Sequence, residues 1–264
     1  MTLPRRWLLW HDDARSGVTN MAADAALLDT VPAGVGVWRW YTWETPTISF
    51  GRHERVLGRF DPVRLAAAAL PAVRRPTGGR ALLHAREFTY SATFRIDETV
   101  GWHVPYAAVN EILLAALVAI GIPARLAGAS PAVAPEGPVC FDVPSPGEIT
   151  VHGQKLVGSA VWRQRGAYLQ HGSILIHDDQ AVLAQVSESG DGTTPLRPAP
   201  PAATLAALQP QLDDASRASL VHEALHAQLA ARGTVDAFAP FDGFADAVSS
   251  QHRHFDSAAW LWRR

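Results

Sequence analysis

The chain has 264 residues, 48% of them hydrophobic and 18% charged, and a formal net charge of −2. This is the composition of a globular protein with one large or two small domains, and the near-neutral balance gives no reason to expect a nucleic-acid partner. No apolar run approaches the roughly 20 residues that span a bilayer, and Met1 to Trp10 is too short for a secretory core, so a cytoplasmic protein without a membrane partner is expected.

Trp7 to Trp10 reads as a short strand, followed by an alanine-rich helix, Met21 to Leu28, capped at Thr19-Asn20. Val37 to Phe50 is rich in tryptophan and β-branched residues and broken by Pro46, which predicts two strands. Asp61-Pro62 is a cap and N1 proline for a helix over Val63 to Leu70. Val73 to Arg75, a Pro-Thr-Gly-Gly turn and a strand Ala81 to His84 come next. In Phe88 to Phe94, aromatic or small residues alternate with Thr89, Ser91 and Thr93, the period of a strand. Val104 to Ile120 is the strongest helix, stopped by Gly121 and Pro123. Gly128 to Pro138 reads as loop. Glu148 to Val151, Lys155 to Arg163 and Ala167 to His177 form a meander, Asp191 to Pro201 a linker, and Ala202 to Arg264 mostly helix. The fold class is α+β (mixed α/β).

Three segments carry chemistry. Arg74-Arg75-Pro76-Thr77-Gly78-Gly79-Arg80 follows a strand with paired glycines, which let backbone approach a ligand; by itself its plainer reading is a tight turn with surface arginines. Lys155 stands three residues before Gly158-Ser159-Ala160, whose small side chains leave room for a ligand; the plainer reading is an exposed edge lysine and a bulge glycine. Cys140 leaves the Pro/Gly-rich loop in Cys140-Phe141-Asp142-Val143-Pro144-Ser145. A lone cysteine is usually a small buried hydrophobe, but a thiolate beside a cation is also the natural nucleophile for transfer from a thioester. One cysteine leaves no internal disulfide and no cysteine-based zinc site. The eleven histidines contain no HExxH, and His222/His226 and His252/His254 fall in sequence that reads as helical and solvated, so no metal is expected.

In order along the chain, these segments resemble the biotin/lipoate protein ligase superfamily, on its lipoate–protein ligase A and cysteine octanoyltransferase side. The resemblance covers roughly Met21 to His177. It includes Asn20-Met21-Ala22-Ala23-Asp24, Pro46-Thr47-Ile48-Ser49-Phe50-Gly51-Arg52, the Arg75-x-x-Gly78-Gly79 turn with His84, Lys155-x-x-Gly158-Ser159-Ala160, and Gln170-His171-Gly172-Ser173.

The resemblance implies a mixed sheet flanked by helices, like that of class II aminoacyl-tRNA synthetases and biotin–lipoate ligases. It implies a catalytic domain over 1–190, with 191–264 a linker and helical extension packed on it. An acyl chain would lie in an apolar tunnel between the glycine turn and the lysine strand. Cys140 and Lys155 would be catalytic; Arg75, Gly78, Gly79, His84, Gly158, Ser159, Ala160, His171 and Gly172 would bind substrate. Ala81, Ala92 and Ala160 are candidates for tunnel walls. The Cys140-Phe141-Asp142-x-Pro144-Ser145 run is similar to the nucleophile segment of the transferases. It implies octanoyl or lipoyl transfer from acyl carrier protein, or from a lipoyl protein, to a lysine of a lipoyl domain or glycine cleavage H protein, without a cofactor. Two alternatives stay open: an ATP-dependent lipoate–protein ligase, which would use ATP and Mg, and a non-catalytic lipoyl-domain binding module. Arg74, Arg75, Arg80, Arg163 and Arg165 are candidates for a basic rim toward acidic carriers.

Overall fold

Alternating strands expose backbone hydrogen-bonding groups at their edges and apolar side chains on their faces, so they are stable only when paired and covered. The protein's structure, a computed structural model, describes residues 3–128, 146–187 and 200–263. In chain order the elements are β1 (Arg6–Arg15), α1 (Gly17–Thr30), β2 (Val35–Trp43), β3 (Thr47–Phe50), α2 (Pro62–Ala67), β4 (Ala72–Arg74), β5 (Leu82–His84), β6 (Glu87–Arg95), α3 (His103–Ala119), β7 (Arg125–Leu126), β8 (Ile149–Val151), β9 (Gln154–Gln164), β10 (Ala167–Leu175), α4 (Val182–Val186), α5 (Leu205–Leu208), α6 (Asp214–Ala230), β11 (Thr234–Ala237), α7 (Phe244–Phe255) and α8 (Ala258–Leu261). Cys140 lies outside the described residues, with most of the Gly128 to Pro138 loop and of the Asp191 to Pro201 linker.

Eight strands form one mixed sheet in the order β11-β1-β2-β6-β10-β9-β8-β7, and β4-β3-β5 form a second, smaller one. In the large sheet β1 runs parallel to β2 and β11, and the other neighbours pair antiparallel. Trp7, Trp38, Tyr90 and Phe94 fill one face of the large sheet against Val109, Ile112 and Leu113 of α3 and Val221, Leu225 and Leu229 of α6. On the other face, Met21, Ala22 and Ala25 of α1 pack with Tyr41, Trp43, Val73, Phe255 and Trp260. The small sheet has its own apolar layer, in which Ile48, Phe50 and Leu83 meet Leu65, Leu183 and Val186. The architecture is the expected mixed sheet flanked by helices.

Several local expectations change. The cap of α1 is Ser16, whose hydroxyl accepts from the Thr19 amide, so the helix begins a turn early and Asn20 is drawn inside. The polar residues of β6, Thr89, Ser91 and Thr93, are as buried as the aromatic ones because the sheet is covered on both sides. Residues 202–264 are not helical throughout: β11 extends the sheet beyond β1. His222 is half-buried: it packs on His11, Trp40 and Phe88, and burial, then the His11 charge, lowers its pKa to about 4. Among the described residues no group of three or more His, Cys, Asp or Glu is placed to hold a metal ion, and no helix is long and apolar enough to cross a membrane.

Candidate active site

A part-open cleft of about 30 Å³ lies where β6, β9 and β10 face the small sheet, well below the size range of small-molecule sites. Of the residues singled out in the sequence, Arg75, His84, Gly158, Ser159, Ala160, His171 and Gly172 line it, with Met21, Tyr41, Leu82, Thr89 and Ser173 completing the wall. Alternation explains the β9 and β10 contributions: Gly158 pairs with Ser173 and Ala160 with His171, so these two rungs present the same face. Ser159 lies between them, and its side chain turns to the opposite face, where its hydroxyl bonds the Tyr90 Oη at 2.7 Å. Only its backbone and the edge of its side chain are left for the cleft. Ala92 is also misassigned as a tunnel wall: Ser91 points to Asp24 on the α1 side, so Ala92 points into the α3/α6 core. Ala81 belongs to the small sheet's apolar layer, and of the three alanines Ala160 faces the cleft.

Glycine is required where strands and turns meet most closely. A Cβ on Gly51 would lie 1.8 Å from the Gly79 carbonyl oxygen, which pins the glycine turn against the end of β3. A Cβ on Gly172 would lie 2.3 Å from the Gly158 carbonyl oxygen and 2.8 Å from the Tyr90 ring. Gly78 has nothing within 4 Å of such an atom, so it faces open space. Gly172→Ala is therefore expected to lower stability by about 2 kcal/mol, a drop of several degrees in Tm, whereas Gly78→Ala should melt like the parent. Thermal denaturation of the two variants checks this; equal melting of both would show that β9 and β10 can yield.

Two buried acid–histidine pairs flank the cleft. His171 Nδ1 lies 3.0 Å from Asp24 Oδ2, and its Nε2 lies 2.6 Å from the Thr77 hydroxyl in the glycine turn. With Asp24 ionised, Nδ1 carries the proton and Nε2 accepts from Thr77. Burial pushes the Asp24 carboxyl up, but Arg39 at 2.8 Å, His171 and Ser91 outweigh it and hold it below the usual range. Burial lowers the His171 pKa despite the opposing pull of Asp24. In the second pair, His84 Nδ1 lies 2.6 Å from Glu87 Oε1 and Nε2 2.7 Å from the Ser49 hydroxyl, with the Trp43 indole stacked on the ring at 3.9 Å. Asp24, Thr77, Ser49 and Glu87 are not among the sequence-derived site residues. The one local hint was a carboxylate in the middle of an alanine-rich helix.

The arginine pair does not form a rim. Arg74 and Arg75 are buried, at 0% and 4% exposure. Arg74 donates to the carbonyls of Gly51, Glu54, Trp260 and Leu261; Arg75 donates to Ser49, Gly78 and Arg80. A guanidinium carries five donors in a plane; Arg75 braces the glycine turn through the Gly78 and Arg80 carbonyls, while Arg74 ties Gly51 and Glu54 to the C-terminal Trp260 and Leu261. Lys155 is not an exposed edge residue either. It is 4% exposed, and its Nζ lies 2.7 Å from Glu148 Oε1 on the chain entering β8. It stands at the start of β9, three residues before Gly158, rather than in the cleft wall. A polar chain crosses the sheet from the cleft floor to this end: Ser159 bonds Tyr90, Gln170 bonds Tyr90 and Asn110, and Asn110 donates to the Gly147 carbonyl at 2.8 Å.

Of the glycine turn only Arg75 lines the cleft; Gly78 and Gly79, expected to bind substrate, do not. Residues 16–230 match the family model described as lipoyl protein ligase A/B catalytic domain. The chain is 40% identical over 192 residues to an octanoyltransferase LipM of Kyrpidia tusciae, covering 68% of this chain and 69% of that protein. It is 37% identical over 196 residues to an octanoyltransferase LipM of Symbiobacterium thermophilum, covering 70% and 71%. The structure of a lipoate-protein ligase A bound with ATP superposes with a TM-score of 0.75 at 18% identity, over 98% of this chain and 99% of that one, which shows a shared fold. The chain belongs to the lipoyl protein ligase A/B catalytic domain family and is an acyltransferase enzyme within it.

Proposed function

We propose that this protein is an octanoyltransferase of lipoate metabolism that works through a thioester on Cys140. The observation that carries the reading is the apolar cleft, lined by Gly158 to Ala160 of β9 and by His84 and His171, in a chain whose relatives are octanoyltransferases. Cys140 Sγ attacks the carbonyl carbon of an octanoyl thioester on acyl carrier protein, and the carrier's thiol leaves. The ε-amine of a lysine on a lipoyl domain or glycine cleavage H protein then attacks the acyl-enzyme, and Cys140 leaves as thiolate. Lys155 supplies the cation that favours the thiolate and takes part in the proton transfers. Backbone N–H groups of the glycine turn and of Gly158 to Ala160 hold the tetrahedral oxyanion, an effect worth about 2.7–4 kcal/mol per donor in other enzymes. The donor is already activated as a thioester, so the transfer consumes no nucleotide.

Incubation with octanoyl carrier protein and no ATP, followed by intact mass, tests this. An added octanoyl group on the enzyme is expected. A requirement for ATP would identify a lipoate–protein ligase, and neither adduct nor product would identify a binding module.

Chain-length preference follows from the cleft. Each buried methylene contributes about 0.8 kcal/mol, so octanoyl should exceed hexanoyl by roughly tenfold at most. Ala160 faces the cleft, and Ala160→Leu should shift preference toward shorter donors. Competition between acyl donors of different length measures the shift; an unchanged profile would place the acyl chain elsewhere.

A further inference from the structure

The face of β9 that presents Gly158 and Ala160 to the cleft continues two residues on with Trp162, which walls a separate pocket of about 240 Å³. Arg52 and Pro76, the residue before Thr77 and the glycine turn, line it beside Trp162, with His254 and Trp260 from the C-terminal helices. The two cavities therefore share a strand and a turn. Neither the acyl chemistry nor the acid–histidine pairs make use of this second one.

Its chemistry is cationic and aromatic. The Arg52 guanidinium stacks on Trp162 at 3.8 Å and lies 5.4 Å from the Trp260 ring. Around the same Trp260 indole stand Arg263 at 4.2 Å and the His254 ring at 4.3 Å. Arg263 donates to the Arg52 carbonyl, which holds the two chains together. No carboxylate is among the residues lining the pocket. The nearest acid in the hydrogen-bond pattern is the exposed Asp29, which accepts from the side-chain amides of Gln164 and Gln251 at the edge. Burial and mutual repulsion act together: the pKa of Arg52 is lowered by burial and then by Arg263, and that of His254 by burial and then by Arg52 and Arg263. Like charges held close in a partly dry pocket favour an anion, and stacking on indole fixes a guanidinium in the plane from which it forks onto phosphate oxygens.

We infer that this pocket binds a phosphate ester, the phosphorylated end of the pantetheine arm that delivers the acyl group to the neighbouring cleft. The identity of the ester as part of the donor rests on the acyl-transfer reading above; the phosphate site itself rests on Arg52, His254, Trp162 and Trp260. The same chemistry occurs in a carrier-bound phosphopantetheine and in a coenzyme A thioester.

The test is calorimetric binding of 4′-phosphopantetheine and of pantetheine to the full chain, with and without Arg52→Gln. Wild type is expected to bind the phosphorylated arm about tenfold or more tighter, the discrimination of one charge-assisted contact. Arg52→Gln should erase that difference, Arg52→Lys should restore part of it, and His254→Gln, an exposed change, should reduce it. Equal binding of the two arms by wild type, or a preference that survives Arg52→Gln in a variant melting like the parent, overturns the inference. Competition by octanoyl coenzyme A and by octanoyl carrier protein for bound 4′-phosphopantetheine identifies the source; displacement by neither also overturns the donor assignment. Phosphate preference without acyl transfer from any donor would keep the pocket and remove the proposed function.

Discussion

Replacing Cys140 by alanine is expected to abolish the octanoyl adduct and to reduce transfer by several orders of magnitude. The chain has one cysteine, so the substitution removes every thiol. Without it, the acceptor amine has to attack the donor thioester directly, with no exchange of one thioester for another of similar energy. Intact mass after incubation with octanoyl carrier protein, and turnover onto a lipoyl domain, are the two readouts. Cys140→Ser should fail as well, since a serine hydroxyl is far less ionised than a thiol at neutral pH. An adduct that persists in Cys140→Ala would move the nucleophile elsewhere. Two hydroxyls already stand against histidines held by carboxylates, Thr77 at His171 and Ser49 at His84. Mapping such an adduct to either would replace the cysteine mechanism by an oxyester one.

Lys155→Ala is expected to lower turnover by about 10²–10⁴, the range of a lost acid–base group. It also has a structural cost, because Lys155 and Glu148 form a buried pair at 2.7 Å. Removing the ammonium from a buried carboxylate destabilises by about 3–5 kcal/mol, so lost activity in the single variant has two possible origins. The double variant Lys155→Met/Glu148→Gln removes both charges and should recover much of the lost Tm. If its turnover stays low while its Tm recovers, the lysine acts in the chemistry. If turnover returns with Tm, Lys155 is a structural residue and its assignment to catalysis is wrong. Thermal denaturation and steady-state transfer on the same preparations decide between these outcomes.

The resemblance pointed to a cleft because its motifs are separated in sequence but ordered. Arg75, His84, Gly158, Ala160, His171 and Gly172 do converge on one cavity. What it did not supply was the partner of each group. Asp24 and His171 are 147 positions apart, and Arg74 reaches carbonyls 186 and 187 positions away. No local pattern contains such pairs. Sequence alone presents the arginines as surface charges because arginine is seldom fully buried. Backbone carbonyls gathered from distant segments satisfy them here, which only the assembled chain provides.

The sequence by itself determined the local choices: the Asp61-Pro62 start of α2, the stop of α3 at Gly121 and the period-two strand β6. These depend on steric limits and capping within a few residues. Tertiary structure decided which faces are dry. Covering the large sheet on both sides put Thr89, Ser91 and Thr93 inside, sent the Ser159 hydroxyl away from the cleft wall, and added β11 as the partner of β1. Strand alternation fixes only that neighbouring side chains point opposite ways. Which of the two ways meets helix, cleft or solvent is set by the elements that pack against the sheet.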